Sequence, residues 1–180
     1  MNIIVLSDHG MVDLAANKTI LLDSIINMED IERYIQDPMT MIQPRPGRVE
    51  KVYQQLKEAE NHYTVYKKED LPKRYHLKES RRVMDIIMMA EMPYTILTSD
   101  DEENFVENLP QGTHGYDNQE KKMHAFFAAR GPDFKTGDTV SSFKNIHVYA
   151  LMAHLLNLEP APHDGTLDSV KMLMNGGRVR

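Results

Sequence analysis

One stretch near the amino terminus constrains the fold of this chain more than any other. Residues 3–6 form an unbroken apolar run rich in β-branched side chains, a pattern that predicts a strand buried on both faces. The run ends at Ser7-Asp8-His9-Gly10, where a carboxylate and an imidazole follow each other as the strand leaves its sheet. Functional sites of open α/β sheets lie outside the carboxyl ends of parallel strands. We therefore expect chemistry at this point of the fold.

The segment Asp8-His9-Gly10 leaves two interpretations open. Successive strand side chains point to opposite faces, so Asp8 and His9 can converge on one metal ion only after a turn, and Gly10 permits a sharp one. In the alternative interpretation, Asp8 caps a loop and His9 has no functional role. The sequence contains no cysteine, so any metal site must use histidine and carboxylate ligands.

Composition excludes several classes of function. With 180 residues, 41% of them hydrophobic and 27% charged, the chain has the size and composition of one soluble domain. Its formal net charge of −6 argues against binding to a nucleic-acid duplex or a membrane surface, which requires a basic face. No apolar run approaches the roughly 20 residues that span a bilayer. The residues after Met1 also lack the basic leader and cleavage site of a signal peptide.

Strand and helix patterns alternate along the chain, which predicts an α/β fold with a mostly parallel or mixed sheet. Further strands are predicted at 19–22, 39–43, 63–67, 84–90, 94–97 and 125–129. Helices are predicted at 28–35 with Asn27 as cap, at 48–60, at 146–158 with Asn145 as cap and burial on nearly all sides, and at 168–174. The charged segments 68–79 and 100–103 are expected to be solvated loops.

A second loop offers the same types of ligand as the first. The segment Gly112-Thr113-His114-Gly115-Tyr116-Asp117-Asn118 is polar and rich in turn-forming residues. Together the two loops supply one carboxylate and two imidazoles, which suit zinc where no thiolate is available. A loop histidine that bonds a nearby backbone group is the alternative interpretation of His114. Tyr116, Asp117 and Asn118 are expected to form the turn and to support the ligand.

Two other patterns are weaker. Asn17-Lys18-Thr19 matches the acceptor pattern for N-glycosylation, which matters only if the protein is secreted. His147 and His154 lie seven residues apart on a predicted helix, where we expect a surface or packing pair.

The chain resembles the ectonucleotide pyrophosphatase/phosphodiesterase (type I phosphodiesterase) family of the alkaline phosphatase superfamily. Segments that carry the resemblance follow the family's order and cover nearly the whole chain: 4–11, 65–74, 112–118, 131–134 and 145–158. The resemblance implies an alkaline-phosphatase-like α/β/α sandwich and a hydrolase with two zinc ions. Its motifs assign Asp8 and His9 to one zinc ion and His114 to the neighbouring ion. The implied substrates are nucleotide pyrophosphates or phosphodiesters, with choline phosphodiesters as the alternative class.

The resemblance also shows which parts of the family pattern are missing. The family's threonine nucleophile, a first aspartate ligand and an Asp-x-x-x-His ligand pair lie upstream of the Ser-Asp-His-Gly strand, which here begins at residue 2. The resemblance therefore implies that residues 1–180 are a single partial domain, the C-terminal half of the catalytic domain, without a catalytic residue of its own. A sheet cut in this way leaves a bare strand edge, through which we expect self-association.

Two functions follow as expectations. In the first, the chain is part of a complete two-metal domain that hydrolyses phosphodiester or pyrophosphate bonds in a small-molecule substrate. In the second, it is a truncated, catalytically silent fragment that acts at most as a binding or regulatory module. We expect the chain alone to bind zinc weakly, because three ligands spread over two sites close neither one. The family resemblance implies an extracellular or cell-surface location, and we expect no signal peptide or membrane anchor within residues 1–180.

Overall fold

Residues 1–176 are described by a computed structural model, in which they form two compact units. The first unit combines Met1–Asp8 with the chain from Ala125 onward, and the second comprises His9–His124. Both helices and strands are present, with parallel and antiparallel strand pairs. The predicted α/β class with mixed strand pairing is therefore confirmed. Within the described part of the chain, no helix has the length and apolar character needed to pass through a bilayer.

The regular elements are short. The strands are β1 (Ile3–Leu6), β2 (Val12–Asp13), β3 (Thr19–Leu21), β4 (Ile31–Ile35), β5 (Met39–Pro44), β6 (Tyr63–Lys67), β7 (Ile86–Ala90), β8 (Thr95–Leu97), β9 (Gly112–Thr113) and β10 (Phe127–Arg130). The helices are α1 (Val49–Glu58), α2 (Ser99–Glu107) and α3 (Ile146–Leu155). Single 3₁₀ turns connect several of them.

The second unit is built on a four-stranded antiparallel sheet with the strand order β4-β5-β7-β6. Every residue of β7 is buried, as its continuous apolar sequence requires of a central strand. On one face of the sheet, Val52 and Leu56 of α1 share a core with Ile86 and Met88 of β7. On the other face, a smaller cluster contains Ile87, Met89, Leu71 and Val83. Two separate strand pairs complete the unit, β3 parallel to β8 and β2 antiparallel to β9.

The first unit packs one face of a strand pair against a helix. β1 is antiparallel to β10, and Ile4 packs against a core of Phe134, Leu151 and Val170. The prediction that β1 is buried on both faces is wrong, because Ile3, Val5 and Leu6 are 49%, 55% and 43% exposed. Among the described residues β1 has one strand neighbour, and the core covers one of its faces.

The helix α3 is buried on one side only, which corrects the expectation of burial nearly all round. Val148, Ala150, Leu151 and Ala153 are buried, whereas Ile146, Tyr149 and Met152 are exposed. Its apolar sequence forms the helix, but the first unit supplies a core for a single face.

The prediction of a helix at 28–35 is also wrong. Asn27 does act as a cap, since its Oδ1 accepts a hydrogen bond from Glu29 N at 2.9 Å, but the turn lasts only over Met28–Asp30. The chain then enters β4 (Ile31–Ile35), whose backbone pairs with β5. This ladder of hydrogen bonds outweighs the local helical preference.

The acidic segment 100–103 forms the first part of α2 rather than a loop. Acidic side chains at the start of a helix are stabilised by its positive end, and Asp23 accepts hydrogen bonds from Ser99 N at 3.0 and 3.1 Å. The predicted helix 168–174 is instead two 3₁₀ turns, Leu167–Ser169 and Lys171–Leu173.

Candidate metal centre

The pairing of β2 with β9 brings the two predicted histidine loops together. Val12 pairs with Thr113 in an antiparallel register. Residues that precede one partner then lie beside residues that follow the other, so His9 approaches His114. The two imidazole rings stack with their centroids 3.7 Å apart and their planes inclined by 22°. Two of the three predicted ligands are therefore side by side in the fold.

The tautomer of His9 is set by the backbone. Its Nδ1 lies 2.7 Å from the carbonyl oxygen of Gly10. A carbonyl oxygen can only accept, so Nδ1 carries the proton in the neutral ring and Nε2 carries the lone pair. A ring nitrogen bonded to a backbone carbonyl in this way is typical of histidines that bind metal through the other nitrogen.

Glycine is required beside each histidine for a different reason. The backbone of Gly10 packs against the segment 122–124: its N–H donates to Met123 O at 3.0 Å, and a β-carbon on Gly10 would lie 1.8 Å from Lys122 O. Gly10 is thus needed for close approach, and it does not adopt a left-handed φ. Gly115 does adopt a left-handed φ of +98°, which other residues rarely tolerate.

Asp8 is the last residue of the first unit and is exposed. The preceding residue continues the pairing of β1, since Ser7 N donates to Phe126 O at 3.0 Å. Within residues 1–176, no group of three or more histidine, aspartate or glutamate side chains is close enough to hold one metal ion. The structure thus brings His9 and His114 together, and the role of Asp8, His9 and His114 as zinc ligands stays a prediction.

A carboxylate that the sequence did not indicate lies beside the His114 loop. Asp37 follows β4, and its carboxylate is 3.5–3.7 Å from the position of a β-carbon on Gly115. Partial loss of water raises the pKa of Asp37, and the charge of nearby His114 opposes this rise. Thr40 holds the turn, because its hydroxyl donates to Asp37 O at 2.7 Å. Only the fold reveals this neighbour, since Asp37 shares no motif with His114.

The residues after His114 are fixed by an ionic clamp formed by Arg74, Tyr75 and Asp117. The Arg74 guanidinium donates to both carboxylate oxygens of Asp117, at 2.5 and 3.3 Å, and Tyr75 donates its hydroxyl at 2.9 Å. Such two-pronged arginine–carboxylate contacts hold a fixed geometry. Tyr116 is buried in the core, and burial raises its pKa. These contacts hold Tyr116 and Asp117 in the segment after His114, and the expected support of a metal ligand by Tyr116, Asp117 and Asn118 stays a prediction.

Other histidines make local contacts. The backbone N–H of Thr166 donates to His147 Nδ1 at 3.0 Å. His62 stacks on Tyr94 at 4.1 Å and lies 3.2 Å from a carboxylate oxygen of Glu91. These contacts place both residues in the packing of the surface, as expected for His147.

The chain is similar to proteins of one enzyme family. The sequence model of the type I phosphodiesterase/nucleotide pyrophosphatase family matches residues 1–117. Human ectonucleotide pyrophosphatase/phosphodiesterase family member 5 is 35% identical over 180 residues, which is 100% of this chain and 37% of the relative. The mouse bis(5'-adenosyl)-triphosphatase of the same family is 37% identical over 97% of this chain and 37% of its own length.

Solved structures show the same similarity in three dimensions. Human ectonucleotide pyrophosphatase/phosphodiesterase 5 matches with a TM-score of 0.87 and 34% identity, over 97% of this chain and 46% of that chain. An inactive variant of the murine protein in complex with AMP matches with a TM-score of 0.88 and 36% identity, over 97% and 45%.

These matches confirm the expected alkaline-phosphatase-like fold. The chain spans less than half the length of the relatives it matches. On the family match and on these similarities, the chain belongs to the type I phosphodiesterase/nucleotide pyrophosphatase family.

Proposed function

We propose that this chain forms part of a zinc-dependent enzyme that hydrolyses phosphodiester or pyrophosphate bonds in nucleotides. The observation that carries the proposal is the stacking of His9 on His114 within a family of nucleotide pyrophosphatases. One relative is a bis(5'-adenosyl)-triphosphatase and another was solved with AMP, which favours a nucleotide substrate. Choline phosphodiesters are the alternative substrate class.

Asp8 and His9 are proposed as ligands of one zinc ion, and His114 as a ligand of the neighbouring ion. The donor set fits, because imidazole nitrogen and carboxylate oxygen bind zinc in the absence of thiolates. The stacking of His9 on His114 brings both imidazole donors to the same place in the fold.

Bound zinc would polarise the phosphoryl oxygens and stabilise the attacking and leaving oxygens of an in-line displacement. The residues of this chain position the donors. The carbonyl of Gly10 fixes the tautomer of His9, and the clamp of Arg74, Tyr75 and Asp117 restrains the chain beyond His114. Rigid donors lower the cost of ordering a charged substrate.

We further propose that residues 1–180 act as one partial domain of a larger catalytic domain, outside the cell or at its surface. The share of each relative that the chain covers, 37% of the human protein for example, supports the first point. The relatives are described as ectonucleotide enzymes, which supports the second.

The metal proposal is tested by zinc titration of the chain, followed through the imidazole NMR signals of each histidine. We expect weak binding that shifts the signals of His9 and His114 together. His9→Ala and His114→Ala should each weaken binding. The matched control His154→Ala, an exposed histidine on α3, should leave it unchanged. If all three variants and the unmodified chain bind zinc with the same affinity, the assignment of His9 and His114 as ligands is wrong.

A second candidate function is a catalytically silent binding or regulatory module. It is supported by the extent of the chain, which covers 37% of the human relative. Zinc-dependent release of AMP from bis(5'-adenosyl) triphosphate, abolished by a chelator, would support the enzyme. The binding or regulatory module would be supported if the full-length natural protein binds zinc at His9 and His114 but does not hydrolyse bis(5'-adenosyl) triphosphate.

A further inference from the structure

The sequence contains a single asparagine with a hydroxyl residue two positions later, Asn17-Lys18-Thr19. This pattern is the acceptor for N-linked glycosylation when it lies on the surface of a secreted protein. None of the other nine asparagines in the sequence is followed by serine or threonine at that position. Asn17 is therefore the single candidate acceptor in the sequence.

Asn17 lies where an acceptor must lie, in an exposed turn between β2 and β3. The turn is closed by a hydrogen bond from Lys18 N to Ala15 O at 3.0 Å, and Asn17 is exposed. Its side-chain amide makes no hydrogen bond to any other residue of the described chain. By contrast, Asn27 caps a 3₁₀ turn and Asn2 donates to Asp133 at 2.6 Å. Among the described residues, a sugar on Asn17 therefore displaces no hydrogen bond of its side chain.

The residues next to Asn17 are anchored without it. The hydroxyl of Thr19 donates to Glu102 Oε1 at 2.7 Å. The ammonium group of Lys18 lies 3.3 Å from the Tyr94 hydroxyl and 5.0 Å from the centre of its ring. β3 begins at Thr19 and pairs with β8. The contacts of Lys18 and Thr19 thus hold the turn in place, while the Asn17 side chain is exposed on the surface.

We infer that Asn17 carries an N-linked oligosaccharide, an inference that rests on the proposed extracellular location. In the transfer, a bond forms between Asn17 Nδ2 and C1 of the first sugar of a lipid diphosphate-linked oligosaccharide. The C1–O bond to the diphosphate breaks, the lipid diphosphate leaves with the bonding electrons, and the amide loses one proton. The attached carbohydrate is bulky and solubilising, and it lies beside β3, whose sheet has two strands among the described residues. It would therefore hinder pairing of other chains at this edge.

The test is cell-free translation of the full chain, behind a cleavable secretory leader, in the presence of microsomes. Only protease-protected chain is counted, so every chain scored has reached the compartment where transfer occurs. We expect the protected chain to migrate more slowly and to return to the unmodified position after peptide-N-glycosidase treatment. Asn17→Gln should abolish the shift.

Matched variants separate the acceptor from other effects. Asn157→Gln alters an exposed asparagine outside the pattern and should keep the shift. Thr19→Ser keeps the hydroxyl and should keep the shift, whereas Thr19→Ala should abolish it. A protected chain with no shift, or a shift that persists in Asn17→Gln, would overturn the inference. Because the leader supplies entry to the microsome, this result is independent of zinc binding and turnover, whose failure would overturn the proposed function instead.

Discussion

Replacing Gly10 by alanine should destabilise the chain through one unavoidable steric contact. The new β-carbon would lie 1.8 Å from Lys122 O, 2.7 Å from Lys122 C and 3.0 Å from His124 O. Because β-carbons essentially never approach another atom more closely than 3.0 Å, the two segments must separate by at least 3.0 − 1.8 = 1.2 Å. The atoms met first belong to the backbone, so no side-chain rotation can relieve the contact.

The cost can be estimated from two contributions. Overpacking of a filled region costs about 1–3 kcal/mol. Separation of the segments also weakens the hydrogen bond from Gly10 N to Met123 O, worth about 1 kcal/mol. We therefore expect Gly10→Ala to lower the free energy of unfolding by about 2–4 kcal/mol. For a chain of this size, that loss corresponds to a decrease in Tm of roughly 4–16 °C.

Urea denaturation followed by circular dichroism measures this loss. Gly176→Ala is the matched control, because nothing lies within 4 Å of its β-carbon position, and it should change stability by less than about 0.5 kcal/mol. A second readout is the pair of imidazole NMR signals of His9 and His114, which should move in Gly10→Ala as the His9 loop is displaced. If Gly10→Ala unfolds within about 0.5 kcal/mol of the unmodified chain, the argument from backbone contact is wrong.

Two further predictions concern charge and association. Asp30 is buried, accepts a hydrogen bond from Lys51 at 2.6 Å and forms an ion pair with Arg48 at 3.2 Å. The hydrogen bond from Lys51 lowers the pKa of Asp30 below the usual 3.8, because its effect is larger than the opposing effect of burial. Its stabilising contribution is therefore full above that value and is lost as the pH falls through the lower, folded-state pKa. Asp30→Asn should reduce the urea midpoint at neutral pH and much less at a pH below the folded-state pKa; an equal reduction at both would contradict the ionic explanation. Val5→Lys places a charge on the exposed strand β1, where Val5 is 55% exposed, and should reduce self-association measured by light scattering. The same molar mass for the variant and the unmodified chain would exclude association through β1.

The sequence predicted strand positions closely where β-branched, aromatic or other apolar residues predominate. β1, β5, β6 and β7 lie within two residues of their predicted ranges, because a run of β-branched or apolar residues suits a strand in several environments. The prediction from sequence failed for the strand Ile31–Ile35, which was expected to be helical and which follows a correctly predicted cap at Asn27. The cap is a local contact between neighbouring residues, whereas the strand depends on a partner that the local sequence does not contain.

Burial was harder to predict than the type of element. The apolar residues of β1 and α3 indicated full burial, yet Val5 and Met152 are exposed. An apolar sequence makes burial favourable in proportion to the area that a neighbour can cover. It does not determine how many neighbours are present, and the first unit provides one core to each of these elements.

The sequence by itself determined the family and the three residues proposed as zinc ligands, because short motifs record which side chains adjoin one another along the chain. The tertiary structure decided which of them meet in space. His9 stacks on His114 because Val12 pairs with Thr113, and Asp37 lies beside Gly115 without any motif that links the two. Contacts between segments distant in sequence depend on backbone pairing and on the space left by the core. Those properties belong to the whole fold, and no single stretch of residues encodes them.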